Sequence, residues 1–565
     1  MESAGMENYL IVTGASDIPV AENATRNLDT YKVYYFDPVL SDLIRDSSLQ
    51  HTELIVWDDA PDYPALVESA HARSFAMERE LSGSLQPFLP DHVADAWQHL
   101  NLYYFFLTFQ WYSRLWREME GRLADGRAHV FINDNPVNYY WPSFLPGLLL
   151  LEQLRSWGVP FSAFTYGARR DESDVVMDFP AAGPVTERFD LLTHLPTCFY
   201  DVGYFNEELR ASGKTNINIQ PKYWGVALEA TQRINLLRLG EHRNLADLPA
   251  FDDVAKALTE RIDALLVPYI STADFRARQA GQLSHLYQSQ VTSLHLMERY
   301  FEPAYPKKLL LSDHDAGFHG PLISFAKRHS ISVLMVPHSK TSLDLDFADR
   351  DVTMLTHPMQ GAPLFNSERK RLLHVSLTYA ETFSGRSAMP KPLRCIGLLL
   401  NGLSLNGILC TNFAAYFRGI QQIDSWCKAN QMELSIRCRQ GQSLTEILGG
   451  AIGSARNRLE ADLAGSLQNF VQGIDLCLMY DTPTNAGIEF LRVGKPILNP
   501  VPSSLSRGEA GTANSQVVPR AGIDETLQWL DEFVADENSL QLFCNRQFAD
   551  YVGLFRESCA LRRLL

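Results

Sequence analysis

Gly473 to Pro500, GIDLCLMYDTPTNAGIEFLRVGKPILNP, compresses a strand, a polar loop, a helix and a second strand into one short unit. Its apolar runs, Leu476–Tyr480 and Pro496–Leu498, read as buried parallel strands. Between them small polar residues open a helix and Gly494 closes it. At the helix entrance Thr482, Pro483, Thr484 and Asn485 offer hydroxyls, an amide and backbone N–H groups where the helix dipole is positive. That is a seat for a phosphate or a sugar hydroxyl.

The same alternation extends in both directions. Toward the amino end the expected strands are Tyr9–Thr13, Lys32–Phe36, Glu53–Trp57, His129–Ile132 and Phe161–Thr165. Long helical stretches are expected over Pro64–Leu123 and Ala227–Tyr300. A strand–helix–strand unit at Lys308–Lys340 loosely echoes His129–Gly167, a likeness of local topology. After the polar stretch Thr382–Pro392, strands Leu393–Leu400 and Met432–Arg437 and a helix over Asn412–Asn430 lead to the opening unit. Helices then close the chain, long enough to pack back across the amino-terminal domain. Strands alternating with helices predict an α/β fold of parallel sheets covered by helices. With 565 residues, one core is too few, and the expected division is an amino-terminal domain at 1–380 and a carboxyl-terminal domain at 381–565. Two doubly wound domains of this kind hold ligands at the carboxyl ends of their strands.

Composition narrows the function classes. Hydrophobic residues make up 46% and charged residues 21%, and no apolar run approaches a bilayer span. The polar opening Met1–Asn8 carries no secretory signal, so a cytosolic location is expected. Eight cysteines without a CxxC pair read as reduced thiols rather than a disulfide framework or zinc site. A net charge of −16 argues against nucleic acid as a partner. The basic stretch SERKRLLH around Arg369 reads first as a solvated helix end, and secondarily as a contact for an anionic acceptor or a membrane face. No residue pattern sets an oligomeric state.

In the opening unit Asp481 and Glu489 are separated by seven residues, and Gly494-Lys495-Pro496 follows. Here the chain resembles the GT-B nucleotide-sugar glycosyltransferases, whose donor domain often carries an acidic-x7-Glu pattern and a Gly-x-Pro turn. The resemblance implies two Rossmann-like domains facing a central cleft, with helical insertions in the amino-terminal half. It implies that Glu489 binds the donor ribose and that Asp481, Thr482, Thr484 and Asn485 contact phosphate or sugar. Asp481 stands where the family more often has Glu. More loosely, the chain is similar to bacterial enzymes that assemble capsule, teichoic acid and lipopolysaccharide glycans.

A nucleoside diphosphate also needs positive charge. The family's Arg and Lys after the first donor-domain strand are replaced by LLLNGLSLNG, so Arg437 and Arg439, two apart and followed by Ser443 before a helix, are the candidate clamp. Such side chains make no metal obligatory, and the co-substrate is expected to be a UDP-, GDP- or CMP-linked sugar. For the base, SDHDAGFHG clusters Asp313, His314 and Asp315 at a strand end. A carboxylate or imidazole beside the attacking hydroxyl is what general-base catalysis requires. His338, Ser339, Lys340 and His357, at further strand ends, suit a phosphate or the acceptor. Gly14 reads as a close turn after the first strand, and Asp134, Asn135, Tyr166 and Gly167 as lining of an acceptor groove. The rival readings are a nucleotide-sugar epimerase of the same build and a non-catalytic glycan-binding protein.

Overall fold

The computed structural model describes residues 7–55, 63–85, 100–134, 143–167, 175–178, 188–195, 202–221, 228–238, 251–312, 319–336, 352–357, 359, 371–376, 393–400, 413–438, 445–452, 459, 464–481, 483–502 and 516–565. These residues build three sheets. Sheet 1 contains β1 (Glu7–Val12), β2 (Tyr31–Tyr35), β3 (Thr52–Leu54), β4 (Gly126–Asn133) and β5 (Phe161–Tyr166). Its spatial order is β3-β2-β1-β4-β5 and every pairing is parallel. The order reverses between β1 and β4, as in one half of a dinucleotide-binding sheet.

Sheet 2 contains β6 (Val175–Asp178), β7 (Leu191–His194), β8 (Asn216–Pro221), β9 (Gln232–Arg238), β10 (Lys308–Ser312), β11 (Ser332–Val336), β12 (Thr353–Thr356) and β13 (Arg371–Ser376). They run β13-β12-β11-β10-β7-β8-β9-β6, with only the β6–β9 pair antiparallel. From β9 to β12 this is the full Rossmann order, reversing between β7 and β10. Strands β4 and β10 therefore occupy the same topological place in their sheets. The echo between His129–Gly167 and Lys308–Lys340 reflects that equivalence, and Asp134 and Asp313 each directly follow the equivalent strand.

Sheet 3 contains β14 (Cys395–Leu400), β15 (Glu433–Arg437), β16 (Leu476–Tyr480), β17 (Ile497–Val501) and β18 (Arg520–Gly522). All are parallel, in the order β15-β14-β16-β17-β18, with the reversal between β14 and β16. Every side chain of β16 is buried, as a central parallel strand requires. Burial of one aliphatic side chain of this kind stabilises by about 1.5–3 kcal/mol. The following helix, Gly487–Arg492, lies so close to β16 that a Cβ at Gly487 would meet Met479 Sδ at 2.6 Å. It ends at Gly494, whose φ of +72° suits glycine, with Lys495 N–H donating back to Phe490 O at 2.9 Å.

The last described strand, β19 (Cys559–Ala560), leaves sheet 3 and pairs parallel to β13 at the edge of sheet 2. The helices Ile523–Ala535 and Glu537–Glu557 carry the chain there. Gln547 stitches the second helix to sheet 3, accepting from Ile497 N–H and donating to Ile497 O and Val517 O. Leu561 and Leu565 complete an apolar cluster on sheet 2.

The α/β class with Rossmann-like parallel sheets is thus present. Among the described residues, segment 1–380 holds sheet 1 and all of sheet 2 but its last edge strand. The helical stretch read from Ala227 begins instead with β9, and helices follow at Phe251–Leu266 and Ala273–Phe301. A short run such as INLL fits either element on periodicity alone, and pairing with β8 decided it. Likewise Arg371–Ser376, read as part of a helix end, is the strand β13 between β12 and β19.

Candidate functional site

The carboxyl end of sheet 3 gathers the described residues that the sequence assigns to a donor. β15 ends in Arg437, which is buried and donates from its guanidinium to Gly465 O. Cys438 follows, its thiol pushed up to about 11 chiefly by burial. The helix Thr445–Ile452 then begins, and its first N–H already has a partner from another sheet. Asp42, on the short helix Ser41–Arg45 of the sheet 1 unit, accepts from Thr445 N–H at 3.1 Å and from its hydroxyl at 2.9 Å. Asp42 also holds Arg45 at 3.0 Å. A carboxylate at a helix start is favourable for the same reason a phosphate is. The units of sheets 1 and 3 meet at this buried contact.

β16 ends in Tyr480 and the buried Asp481, whose φ of +60° is a left-handed conformation uncommon outside glycine. Main-chain bonds hold it there: Asp481 N–H donates to Pro500 O at 2.9 Å, and Asn499 Nδ2 donates to Asp481 O at 3.0 Å and to Met479 O. Strained backbone of this kind concentrates at ligand sites. Thr484 Oγ1 accepts from Ala486 N–H at 3.4 Å, and Asn485 O accepts from Ile488 N–H at 3.2 Å, so the loop turns directly into the helix. Glu489 lies on that helix with its side chain 41% exposed and pairs with Arg492 at 2.9 Å.

The helix Phe413–Ala429 packs against β15 and against Tyr480 at the end of β16. Its Tyr416 was not singled out by the sequence. The ring stands perpendicular to that of Tyr480 at 4.8 Å, and Tyr480 Oη donates to Tyr416 O at 2.6 Å. Burial, and next the carboxylate of Asp481, hold both phenols well above the ordinary tyrosine range.

Sheet 1 has its own polar cluster at the β1/β4 reversal. Asp17, in the turn after β1, is buried, and one carboxylate oxygen accepts from Thr13 N–H at 2.6 Å, Thr13 Oγ1 at 2.8 Å and Gly14 N–H at 3.0 Å. The other accepts from Tyr166 Oη at 2.7 Å, at the end of β5. Burial raises the Asp17 carboxyl above its usual value, and these donors partly offset it. Asp134, after β4, pairs with Arg278 of the helix Ala273–Phe301 at 2.9 Å. Gly14 therefore serves the turn, as expected, while Asp17 had no signal of its own, since its partner lies 149 residues away.

On sheet 2, His357 follows β12, is fully buried, and its Nδ1 accepts from Met359 N–H at 3.1 Å. Met359 inserts into an apolar cluster with Leu399, Phe470 and Tyr551, joining the ends of sheets 2 and 3. Asp313, His314, Asp315, His338, Ser339, Lys340, Arg439, Ser443, Thr482 and Asn135 lie outside the described residues. The strands that lead to them are described: β10 stops at Ser312, beside the β7/β10 reversal, and β11 at Val336. Among the described residues no three His, Cys, Asp or Glu side chains are grouped to hold a metal ion, and no helix is long and apolar enough to cross a membrane.

No protein-family model and no curated protein matches the chain. Solved structures do. The chain is similar to MurG from Acinetobacter baumannii at 11% identity and a TM-score of 0.33, over 66% of this chain and 95% of that one. The glycosyltransferase of kitacinnamycin matches at 11% identity and 0.34, over 68% and 98%. MnaA of S. aureus, solved with UDP, matches at 11% identity and 0.30, over 66% and 99%. Likenesses at this level bear on neither the ligand nor the activity of this chain.

Proposed function

We propose that the chain is a glycosyltransferase of GT-B type that moves a sugar from a nucleotide donor to a hydroxyl of a surface glycan or glycolipid. One observation carries the reading: the β16–loop–helix–β17 unit, with Asp481 held in a left-handed conformation, sits at the strand-order reversal of a parallel sheet. Crevices outside such reversals are where open α/β sheets take nucleotides. In this reading 381–565 binds a UDP-, GDP- or CMP-linked sugar, and 1–380 supplies the acceptor side. Glu489 holds the ribose, and the Asp481–Asn485 loop, with Thr482 and Thr484, holds sugar or phosphate. Arg437 spends only part of its five N–H donors on Gly465 O, so with Arg439 and Ser443 it neutralises phosphate without an obligatory metal.

The chemistry assigned to the chain is a displacement. Asp313 or Asp315, oriented by His314, takes the proton of the acceptor hydroxyl. The oxygen attacks the anomeric carbon, and the bond from that carbon to the phosphate oxygen breaks. His338, Ser339, Lys340 and His357 are assigned to the acceptor or the phosphate, and the enzyme is read as cytoplasmic, with peripheral contact to the inner membrane face as the secondary reading.

A titration of the full chain with UDP, GDP and CMP, free and as sugar conjugates, tests the donor half. At least one nucleotide is expected to raise Tm and bind by calorimetry; no binding to any of them overturns the reading. For the acceptor half, Asp313→Asn or Asp315→Asn is expected to lower kcat by roughly 10²–10⁴-fold with donor Kd unchanged. Equal losses in both constants would assign these residues a structural role.

A further inference from the structure

The helix Thr445–Ile452 is held at each end by a charge from elsewhere in the chain. At its far end Lys428, on the helix Phe413–Ala429, donates to Ile452 O at 2.8 Å and pairs with Asp424 at 2.6 Å. At its start the preceding residue is Leu444, whose side chain has no acceptor to offer the first N–H groups. Asp42 of the sheet 1 unit supplies one instead. One of its oxygens takes both the N–H and the hydroxyl of Thr445, while the other takes Arg45 at 3.0 Å. An anion at the start and a cation at the end is the arrangement a helix dipole favours.

The two caps differ in what they tie together. Lys428 belongs to the sheet 3 unit itself, and its side chain is 62% exposed. Asp42 stands 403 positions before Thr445, and both residues are buried. A buried carboxylate is costly unless its partners are fixed. Here sheet 1 fixes it: Ser41 Oγ donates to Tyr35 Oη at 3.1 Å, Asp37 accepts from Val39 N–H at 3.0 Å, and Leu40 and Ile44 are buried in an apolar cluster with Leu10, Val12, Val33 and Tyr35. On sheet 3 the same contact lies at the carboxyl end, because Thr445 opens the helix entered from β15, whose last residue is Arg437. The intervening 439–444 carries Arg439 and Ser443, which the donor reading assigns to phosphate.

We infer that Asp42 is a positioning residue for the donor phosphate, acting through Thr445 to fix where the chain leaving β15 turns into its helix. The sheet 1 unit thereby completes the donor site of sheet 3. This rests on the donor reading above and extends it, since that reading places all of 1–380 on the acceptor side. The sign of the effect separates action through Thr445 from direct action on the ligand. A carboxylate repels phosphate, so if Asp42 acted directly its removal would tighten nucleotide binding. If it acts by holding Thr445, its removal loosens binding, and an uncharged side chain that still accepts restores it.

Tm and calorimetric titrations of UDP, GDP and CMP on the full chain, with Asp42→Ala, Asp42→Asn and Lys428→Met, test this. Asp42→Ala is expected to bind the wild type's preferred nucleotide roughly tenfold more weakly. Asp42→Asn, which keeps an oxygen for Thr445 and drops the charge, is expected to bind it within about twofold of the wild type. Lys428→Met loosens the same helix at the end away from β15, and is expected to lower Tm with nucleotide affinity unchanged. Unchanged or tighter binding by Asp42→Ala, equal losses in the alanine and asparagine variants, or an equal loss in Lys428→Met overturns the inference while leaving the donor site standing. Should Asp42→Ala not fold, Thr445→Val removes only the hydroxyl bond and is expected to weaken nucleotide binding about threefold; unchanged affinity there overturns the inference as well. If the wild-type chain binds none of the nucleotides, the donor reading itself fails and this assignment falls with it.

Discussion

The carboxyl ends of sheets 1 and 3 share a strand, a polar turn and a helix at a strand-order reversal, yet they dispose of their polar atoms in opposite ways. In sheet 1 the buried Asp17 collects two main-chain N–H groups, a threonine hydroxyl and the Tyr166 phenol. Such a knot is closed: its bonds fix β1 to β5. In sheet 3 the backbone of Asp481 is bound into a left-handed turn, whereas Tyr416 keeps a buried hydroxyl that no described residue meets. The lesson is that a reversal in strand order creates a crevice, and the hydrogen-bond accounting there decides whether the crevice is structural or receptive.

The comparison breaks most visibly at Asp17. Asp17→Ala removes the acceptor of the Tyr166 phenol and of two N–H groups, and is expected to lower unfolding free energy by about 3 kcal/mol in denaturant titration without changing nucleotide affinity. Loss of nucleotide binding with intact stability would make sheet 1 the receptive end. On sheet 3 the expectation inverts. Glu489→Ala should weaken nucleotide-sugar binding by at least about 1 kcal/mol by calorimetry. Its half-exposed pair with Arg492 adds well under about 1 kcal/mol to stability, so Tm should hardly move. Unchanged donor affinity would remove Glu489 from the site. The finest contrast matches hydroxyl deletions: Tyr166→Phe should cost about 1 kcal/mol of stability, whereas Tyr416→Phe should cost none. Equal costs would erase the difference between the two ends.

Much of this scaffold is legible in the sequence. β1, β2, β4, β5 and β14 to β17 announce themselves because each is a short apolar run between turn residues, and Gly494 marks its helix end by a backbone conformation that favours glycine. β8, NINIQP, and β18, RAG, carry too little apolar character to stand out. Their strand state comes from neighbours far away in sequence, as does the division of 1–380 into two sheets. The site follows the same rule. Asp481 and Glu489 are visible because they fall within one local motif, while Tyr416 sits in NFAAYFRG, a segment that reads only as amphipathic helix. Its meaning depends on Tyr480, 64 residues on.

The strand β19 has a practical consequence. Sheet 2 receives its edge strand, and the Leu561 and Leu565 that cover its core, from chain that follows all of sheet 3. A ribosome must therefore pass every residue of sheet 3 before sheet 2 can close. Until then the end of β13, Val375 and Ser376, lacks its edge partner and is open to any strand it meets. A fragment cut anywhere between sheets 2 and 3 inherits that raw edge permanently, and should self-associate when expressed alone, unless a peptide spanning 559–565 is supplied to cover it.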